Sequence, residues 1–178
     1  ILSKPFFVTN FKRCIEQARK EQQLQGKGQA TEKEKMTLKG MRFLIADDND
    51  LNAEILEELL KMEGADCDRA VNGKEAVEMF ARAEEGRYNI ILMDIKMPVM
   101  NGYDATKEIR RLKKKEAAKI PIFAMTANAF AEDIRTCMEA GMDAHIAKPV
   151  DLDLLEENIR IYMQAKACLL YTSDAADE

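Results

Sequence analysis

From residue 40 onward, short apolar runs alternate with segments of helical periodicity. Each run is a candidate strand and each periodic segment a candidate helix, in five pairs: MRFLIA and LNAEILEELLKMEG, ADCDRAV and GKEAVEMFARA, YNIILMD and GYDATKEIRRLKKK, PIFAMT and FAEDIRTCMEAG, AHIA and LDLLEENIRIYMQ. The run 90–93 is too short and too continuously apolar for a surface helix. This alternation predicts an α/β fold in which helices cover both faces of a parallel sheet.

The spacing of apolar residues also indicates a packed side for the helices. On the first helix, one face carries Leu51, Ile55, Leu59 and Met62. On the third helix, one face carries Ala105, Ile109 and Leu112. Apolar stripes of this kind are typical of helices that pack against a sheet.

Polar residues stand where the predicted strands end. The first strand ends at Asp47 and Asp48, the third at Asp94 and the fourth at Thr126, and Lys148 follows the fifth. The carboxyl ends of parallel strands gather at one edge of an open sheet, where a crevice forms. We therefore expect three carboxylates, a hydroxyl and an ammonium to converge in one shallow pocket.

Such a group of side chains suits phosphoryl transfer. Crowded carboxylates repel one another, and a hard divalent cation such as Mg²⁺ relieves the repulsion. An aspartate beside the cation, a lysine and a threonine hydroxyl can then act as an in-line nucleophile, and Asp94 has this position. Each signal alone has an ordinary explanation as a helix cap, a turn or a surface Lys-Pro dipeptide. Their occurrence at successive strand ends favours a site.

Four segments carry a resemblance to a known family: FLIADDND, IILMDIKMPVMNGYDATKEIR, IPIFAMTANAF and AGMDAHIAKPVD. They resemble the acidic, phospho-acceptor, Thr and Lys motifs of receiver domains in two-component signalling, and are similar to the receivers of hybrid sensor histidine kinases. The resemblance runs from Met41 to about Gln164. It implies a flavodoxin-like, doubly wound sheet of five parallel strands in the order 2-1-3-4-5.

The resemblance implies roles for the acidic residues. Asp94 would accept a phosphoryl group from the phosphohistidine of a histidine kinase or phosphotransfer domain. Asp48 and Asp94 would bind Mg²⁺ directly, together with the backbone carbonyl of Lys96. Asp47 would act mainly through water.

The resemblance also implies a conformational switch. Thr126 and Lys148 would contact the phosphoryl group, and Pro149 would hold the preceding peptide bond in an unusual, cis geometry. The family's aromatic switch position falls at His145, which departs from the pattern and is either a rotameric switch or a packed strand residue. His145 is the chain's single histidine and lacks the surroundings of a kinase histidine, so the donor must be another domain or protein.

Composition limits the partners. A net charge of −5 argues against direct nucleic-acid binding, and the basic run 110–115 is interpreted as a solvated helix end. The four cysteines have no Cys-x-x-Cys spacing and are interpreted as reduced packing thiols: Cys14, Cys67, Cys137 and Cys168. With no membrane span or secretory signal in the sequence, we expect a cytoplasmic chain without membrane contact, alone or as the cytoplasmic part of a membrane-bound hybrid kinase.

The predicted organisation has four parts. Residues 1–18 resemble the last strand end and helix of an upstream receiver, with an unrelated amphipathic helix as the alternative. Residues 19–39 are rich in Gln, Lys and Glu and are interpreted as a linker. Residues 40–166 form the receiver domain. Residues 167–178 resemble a translated sequencing adapter, with a natural acidic tail as the alternative.

The function predicted first is a self-phosphorylating signalling module, as part of a hybrid histidine kinase whose catalytic domains are absent from this sequence. Two other functions stay open. A degenerate receiver would bind partners without phosphorylation. A phosphotransferase of the haloacid-dehalogenase type also uses a strand-end Asp and Mg²⁺, but its acid/base Asp should stand where Lys96 stands. Homodimerisation on the face of the later strands and helices is also left open.

Overall fold

The computed structural model describes residues 37–127 and 131–175, with the side chains of 131–132 and 167–175 left out. The predicted segment 1–18 and nearly all of the predicted linker lie outside this part. The elements of the described part are β1 Arg42–Ala46, α1 Asp50–Met62, β2 Asp66–Ala70, α2 Gly73–Arg82, β3 Ile90–Asp94, α3 Gly102–Arg111, β4 Ile122–Thr126, α4 Ala131–Ala140, β5 Ala144–Ala147 and α5 Leu152–Ala175.

The strands of the described part form one parallel sheet in the order β2-β1-β3-β4-β5. This confirms the predicted flavodoxin-like fold and its strand order. The chain adds strands on both sides of β1, so the ends of β1 and β3 adjoin at the topological switch point. Ala46 pairs with Met93, which places Asp47 and Asp94 side by side at the carboxyl edge.

Both faces of the sheet are covered. Leu44 of β1 belongs to a buried cluster that includes Phe80 of α2 and Ile109 of α3. The neighbouring side chains Phe43 and Ile45 point to the opposite face and are fully buried as well. Burial on both faces explains why the central strands are continuously apolar rather than alternating.

Helix α1 buries a different stripe from the one that its periodicity indicated. Its buried residues are Ala53, Leu56 and Leu60. Three members of the predicted stripe are mainly exposed, by 66% for Leu51, 51% for Ile55 and 80% for Met62. Both sets fit the helical repeat, because α1 is apolar on more than one side. The prediction that the stripe of Leu51, Ile55, Leu59 and Met62 is the packed side of α1 is therefore wrong.

The basic run 110–115 is only partly solvated: Arg111, Lys113 and Lys115 are exposed as expected, whereas Arg110 and Lys114 are not. The side chain of Arg110 is only 13% exposed and forms a 2.8 Å ion pair with Asp143. Its guanidinium also donates to three backbone carbonyl oxygens, those of Ala117, Ile120 and Gly141. Carbonyl groups at the ends of helices and in loops lack partners of their own, and Arg110 supplies the donors.

Lys114 makes a similar connection. Its side chain is 15% exposed, and Nζ donates to the carbonyl oxygens of Phe80 and Ala83 at the end of α2, at 2.8 and 2.7 Å. The ammonium also lies 4.6 Å from the centre of the Phe80 ring. A cation at a helix C-terminus interacts favourably with the helix dipole. Lys114 therefore ties the loop after α3 to α2.

The sheet and the first four helices belong to one compact unit, Thr37–Leu155, and α5 continues from Glu156 into a second unit. Helix α5 extends beyond its predicted end at residue 164 and through much of the predicted tail 167–178. The origin of that tail stays a prediction. None of the helices in the described part has the length and apolar content needed to cross a bilayer.

Candidate functional site

The turn between β1 and α1 presents two carboxylates. The Asp47 backbone N–H donates to the Ala70 carbonyl at 3.1 Å, which extends the sheet by one residue. Oδ1 of Asp47 accepts the Asn49 N–H at 2.9 Å, and Asn49 caps α1 by accepting the Asn52 N–H at 3.0 Å. Asp47 is thereby buried, whereas Asp48 is exposed at the cleft.

Asp94 is fixed by a loop that requires two glycines. The Gly102 N–H donates to the Ile95 carbonyl at 2.9 Å, and a Cβ at Gly102 would collide with the Asp94 carbonyl oxygen. The Gly73 N–H donates to the Met100 carbonyl, which a Cβ at Gly73 would also strike. Only glycine allows such a close backbone approach, so these positions hold the Asp94 loop against α2 and α3.

Lys148 connects the acidic residues. Its Nζ lies 3.0 Å from Oδ2 of Asp47 and 3.0 Å from Oδ2 of Asp94. The Lys148 N–H donates to the Thr126 carbonyl at 2.9 Å, which continues the pairing of β5 with β4. The Lys148–Pro149 peptide bond is cis, as the resemblance implied. The last strand thus delivers the ammonium to carboxylates carried by β1 and β3.

The charges of the site shift two pKa values. Burial raises the pKa of Asp94, Lys148 opposes the rise, and Asp47 and Asp48 add to it. Burial alone would lower the pKa of Lys148, but its hydrogen bonds to Asp94 and Asp47 outweigh this effect and raise that pKa. Lys148 is therefore a stable cation beside a carboxylate that is more basic than usual.

The donor set fits a hard divalent cation. Asp47, Asp48 and Asp94 each offer a carboxylate oxygen, and these oxygens lie within 4.8 Å of one another. Oxygen ligands in this number suit Mg²⁺ rather than zinc or copper. Lys96 lines the same cleft, and the use of its backbone carbonyl as a ligand stays a prediction.

The site opens into a cleft of about 700 Å³. Its lining includes residues that sequence reasoning missed: Met97, Asn101, Tyr103, Met125, Ala127 and Asp133. Burial, assisted by Cys137 and Asp133, raises the pKa of Tyr103 to about 12, so its phenol is neutral. Most of these residues closely follow Asp94 or Thr126 in the sequence, and that position is the signal that could have identified them.

The structure brings most of the predicted site residues together. Asp48, Asp94, Lys96, Thr126 and Lys148 line the cleft, and Asp47 touches it through Lys148. His145 is not among the residues that line the cleft; it lies on β5, pairs with Ala124 of β4 and is half-buried. Burial lowers the pKa of His145, which fits a packed, neutral ring.

A family model for the response regulator receiver domain matches residues 43–160. The peroxide stress-activated histidine kinase mak1 of Schizosaccharomyces pombe is 36% identical over 117 residues, which are 65% of this chain and 7% of that protein. The sensor histidine kinase RcsC of Salmonella typhimurium is 35% identical over 124 residues, 70% of this chain and 12% of that protein. The chain thus spans a small part of the length of the curated relatives it matches.

Solved structures show the same fold. The receiver domain of a sensor histidine kinase from Pseudomonas aeruginosa, which has a magnesium ion coordinated in its active site cleft, matches with a TM-score of 0.60 and 36% identity, covering 68% of this chain and 95% of that chain. A co-crystal of the Saccharomyces cerevisiae phosphotransfer protein Ypd1 with the receiver domain of Ssk1 matches with a TM-score of 0.62 and 31% identity, covering 74% and 94%.

Proposed function

The chain belongs to the response regulator receiver domain family, and from this premise we propose that it is the phosphoacceptor module of a two-component phosphorelay. A histidine kinase or phosphotransfer domain would donate the phosphoryl group, and Asp94 would accept it in a Mg²⁺-dependent step. The observation that carries the proposal is the contact of Lys148 with both Asp47 and Asp94 in a cleft that Thr126 also lines.

The geometry suits transfer onto Asp94. A carboxylate oxygen of Asp94 attacks the phosphorus, the new O–P bond forms as the P–N bond of phosphohistidine breaks, and the electron pair stays on the imidazole nitrogen. Lys148 is charged and already within hydrogen-bond reach, so it can follow the phosphoryl oxygens without a large rearrangement. Mg²⁺ held by Asp48 and Asp94 would offset further negative charge on those oxygens.

The same contacts would report the modification. In the unmodified site Lys148 bonds to Asp94, and its backbone N–H bonds to the Thr126 carbonyl. When Lys148 turns to the phosphoryl group, the Thr126 hydroxyl is drawn to the same oxygens. Thr126 ends β4, directly before the segment that leads to α4, so this movement would reach α4.

The setting of this module is part of the proposal. The relatives described above are histidine kinases, which supports a place within a larger hybrid kinase and a donor on another domain. A cytoplasmic location, as the sequence predicts, belongs to the proposal as well. Lys96 is exposed and cannot act as a carboxylic acid, which argues against a haloacid-dehalogenase reaction.

The proposal is tested by intact-protein mass after treatment with acetyl phosphate, with and without Mg²⁺. We expect one added phosphoryl group that depends on Mg²⁺ and is absent from Asp94→Asn. Circular dichroism would verify the fold of both proteins, and borohydride trapping would guard against hydrolysis of the acyl phosphate. A folded chain without an adduct would contradict the proposal and favour a receiver that binds partners without phosphorylation.

A further inference from the structure

Besides Lys148, a second cation contacts the group formed by Asp47, Asp48 and Asp94. This cation is Arg69, which has no part in the proposed function. Arg69 lies on β2, paired with Ile45 of β1. Its NH2 nitrogen donates to the backbone carbonyl of Asp47 at 3.1 Å and to Oδ1 of Asp50 at 2.7 Å. Arg69 therefore reaches the turn between β1 and α1 from the edge strand.

The guanidinium is more enclosed than an ordinary surface ion pair requires. The Arg69 side chain is 21% exposed, while its partner Asp50 is 83% exposed. The buried Nε of Arg69 has no hydrogen-bond partner within the described residues, and an unsatisfied buried donor costs free energy. An exposed pair contributes little on its own. The enclosed position is better explained by the contact with the Asp47 backbone.

That contact acts on the metal-binding carboxylates. The Asp47 carbonyl belongs to the peptide group that joins Asp47 to Asp48, so Arg69 fixes the orientation of the backbone from which the Asp48 side chain projects. The other groups of Asp47 are held by Ala70, Asn49 and Lys148. Arg69 adds the restraint on the side of the turn that leads to Asp48.

The charges agree with this arrangement. Asp47, Asp48 and Asp94 converge, while Asp50 is outside that group and bonds to Arg69 instead. These four carboxylates, together with the cations Lys148 and Arg69, leave two net negative charges. A single divalent cation neutralises that amount.

We propose that Arg69 is a positioning residue of the cation site. It holds the peptide between Asp47 and Asp48 in the orientation that binds Mg²⁺. This inference rests on the proposed function in one respect, namely that the carboxylates bind Mg²⁺.

The test is calorimetric titration of Mg²⁺ into the full 178-residue chain. Groups that orient metal ligands typically change metal affinity by about tenfold or more when they are removed, so we expect Arg69→Met to bind Mg²⁺ about tenfold more weakly. Charge alone predicts the opposite sign, because removing a cation near the site should strengthen Mg²⁺ binding. The sign of the change therefore separates positioning from simple electrostatics.

The control is Arg82→Met, which removes the same charge from the exposed last residue of α2. Its Mg²⁺ affinity should stay within about twofold of wild type, because salt screens distant surface charges. Equal or tighter Mg²⁺ binding by a folded Arg69→Met overturns the inference. If Arg69→Met does not fold, Arg69→Lys replaces it: the charge is kept but the planar fork is lost, and wild-type affinity in that variant overturns the inference equally.

Asp48→Asn separates this inference from the proposed function. If wild type binds Mg²⁺, Asp48→Asn loses binding and Arg69→Met is unchanged, the inference on Arg69 fails alone. If wild type does not bind Mg²⁺, or Asp48→Asn binds as wild type does, the proposed cation site fails and the role of Arg69 fails with it.

Discussion

The ammonium of Lys148 lies 3.0 Å from Oδ2 of Asp94, and these side chains are only 19% and 10% exposed. The two groups come from strand ends that are not adjacent, because β4 lies between β3 and β5. Removing one member of a buried ion pair leaves the other charge uncompensated. The pair is therefore a structural restraint and, in the proposed function, the source of charge stabilisation.

Replacing Lys148 should slow phosphorylation severely. Loss of one preorganised charge at a transition state costs on the order of 100-fold in rate, so we expect Lys148→Met to form the acyl phosphate about 100-fold more slowly. The time course of intact mass with acetyl phosphate and Mg²⁺ measures this rate. Lys107→Met, on the exposed side of α3, is the matched control. A wild-type rate in Lys148→Met would show that the ammonium is not used.

His145 should make stability depend on pH. Burial lowers its pKa below the ordinary value of 6.5, so the unfolded chain binds a proton at higher pH than the folded chain does. The stability contribution is full above pH 6.5 and is lost as the pH falls through the folded-state pKa. We expect wild type to lose more stability than His145→Phe between about pH 8 and about pH 5 in urea unfolding. Equal changes in the free energy of unfolding of the two proteins over this pH range would contradict the prediction.

Arg110 should contribute much more to the stability of the fold than the neighbouring Arg111 does. Arg110→Met removes the cation that pairs with Asp143, which keeps its hydrogen bond from the Ile122 N–H, and removes the donor to three carbonyl oxygens. We expect a loss of about 3 kcal/mol in the free energy of unfolding. Arg111→Met removes the same charge at an exposed position and should cost less than about 0.5 kcal/mol. Equal losses in urea denaturation would refute the role of Arg110.

The two apolar sides of α1 should differ in energy. Leu56 is 3% exposed and Ile55 is 51% exposed. Leu56→Ala opens a cavity and should reduce the free energy of unfolding by about 3 kcal/mol, whereas Ile55→Ala should cost less than about 1 kcal/mol. Thermal and urea unfolding of the two variants compare the sides directly. A larger loss of unfolding free energy in Ile55→Ala than in Leu56→Ala would indicate that the predicted stripe is the packed side of α1.

Val99 should be replaceable with a gain in stability. It has φ 68° and is 78% exposed, and the Met100 N–H donates across it to the Pro98 carbonyl at 2.7 Å, which makes a γ-turn. A β-branched residue is strained there, and Asn tolerates this region better. We expect Val99→Asn to raise the free energy of unfolding by about 1 kcal/mol. Val71→Asn, at another exposed valine without positive φ, should give no gain.

The order of elements was predictable because parallel strands buried on both faces leave short, continuous apolar runs. Convergence at the cleft was predictable for a related reason, since Asp48, Asp94, Thr126 and Lys148 all stand at carboxyl ends of such strands. Topology alone brings them together. The specific roles came from the resemblance and not from the pattern.

The remaining features depend on partners that are distant in sequence. The packed side of α1 could not be chosen, because two stripes satisfy the same repeat. The burial of Arg110 could not be inferred, because its acceptors are backbone carbonyls that become adjacent only after folding. Arg69 likewise looks like an ordinary charge on an edge strand until the Asp47 carbonyl is seen beside it.

The position of Lys148 after the final strand has a consequence for biosynthesis. A chain emerging from the ribosome presents Asp47, Asp48 and Asp94 long before residue 148 has been added. Until β5 pairs with β4, Asp47 and Asp94 lack the ammonium with which they pair. Under the proposed function, a nascent or truncated chain without Lys148 in place should therefore accept a phosphoryl group far more slowly than the folded chain. Full competence begins when the last strand joins the sheet.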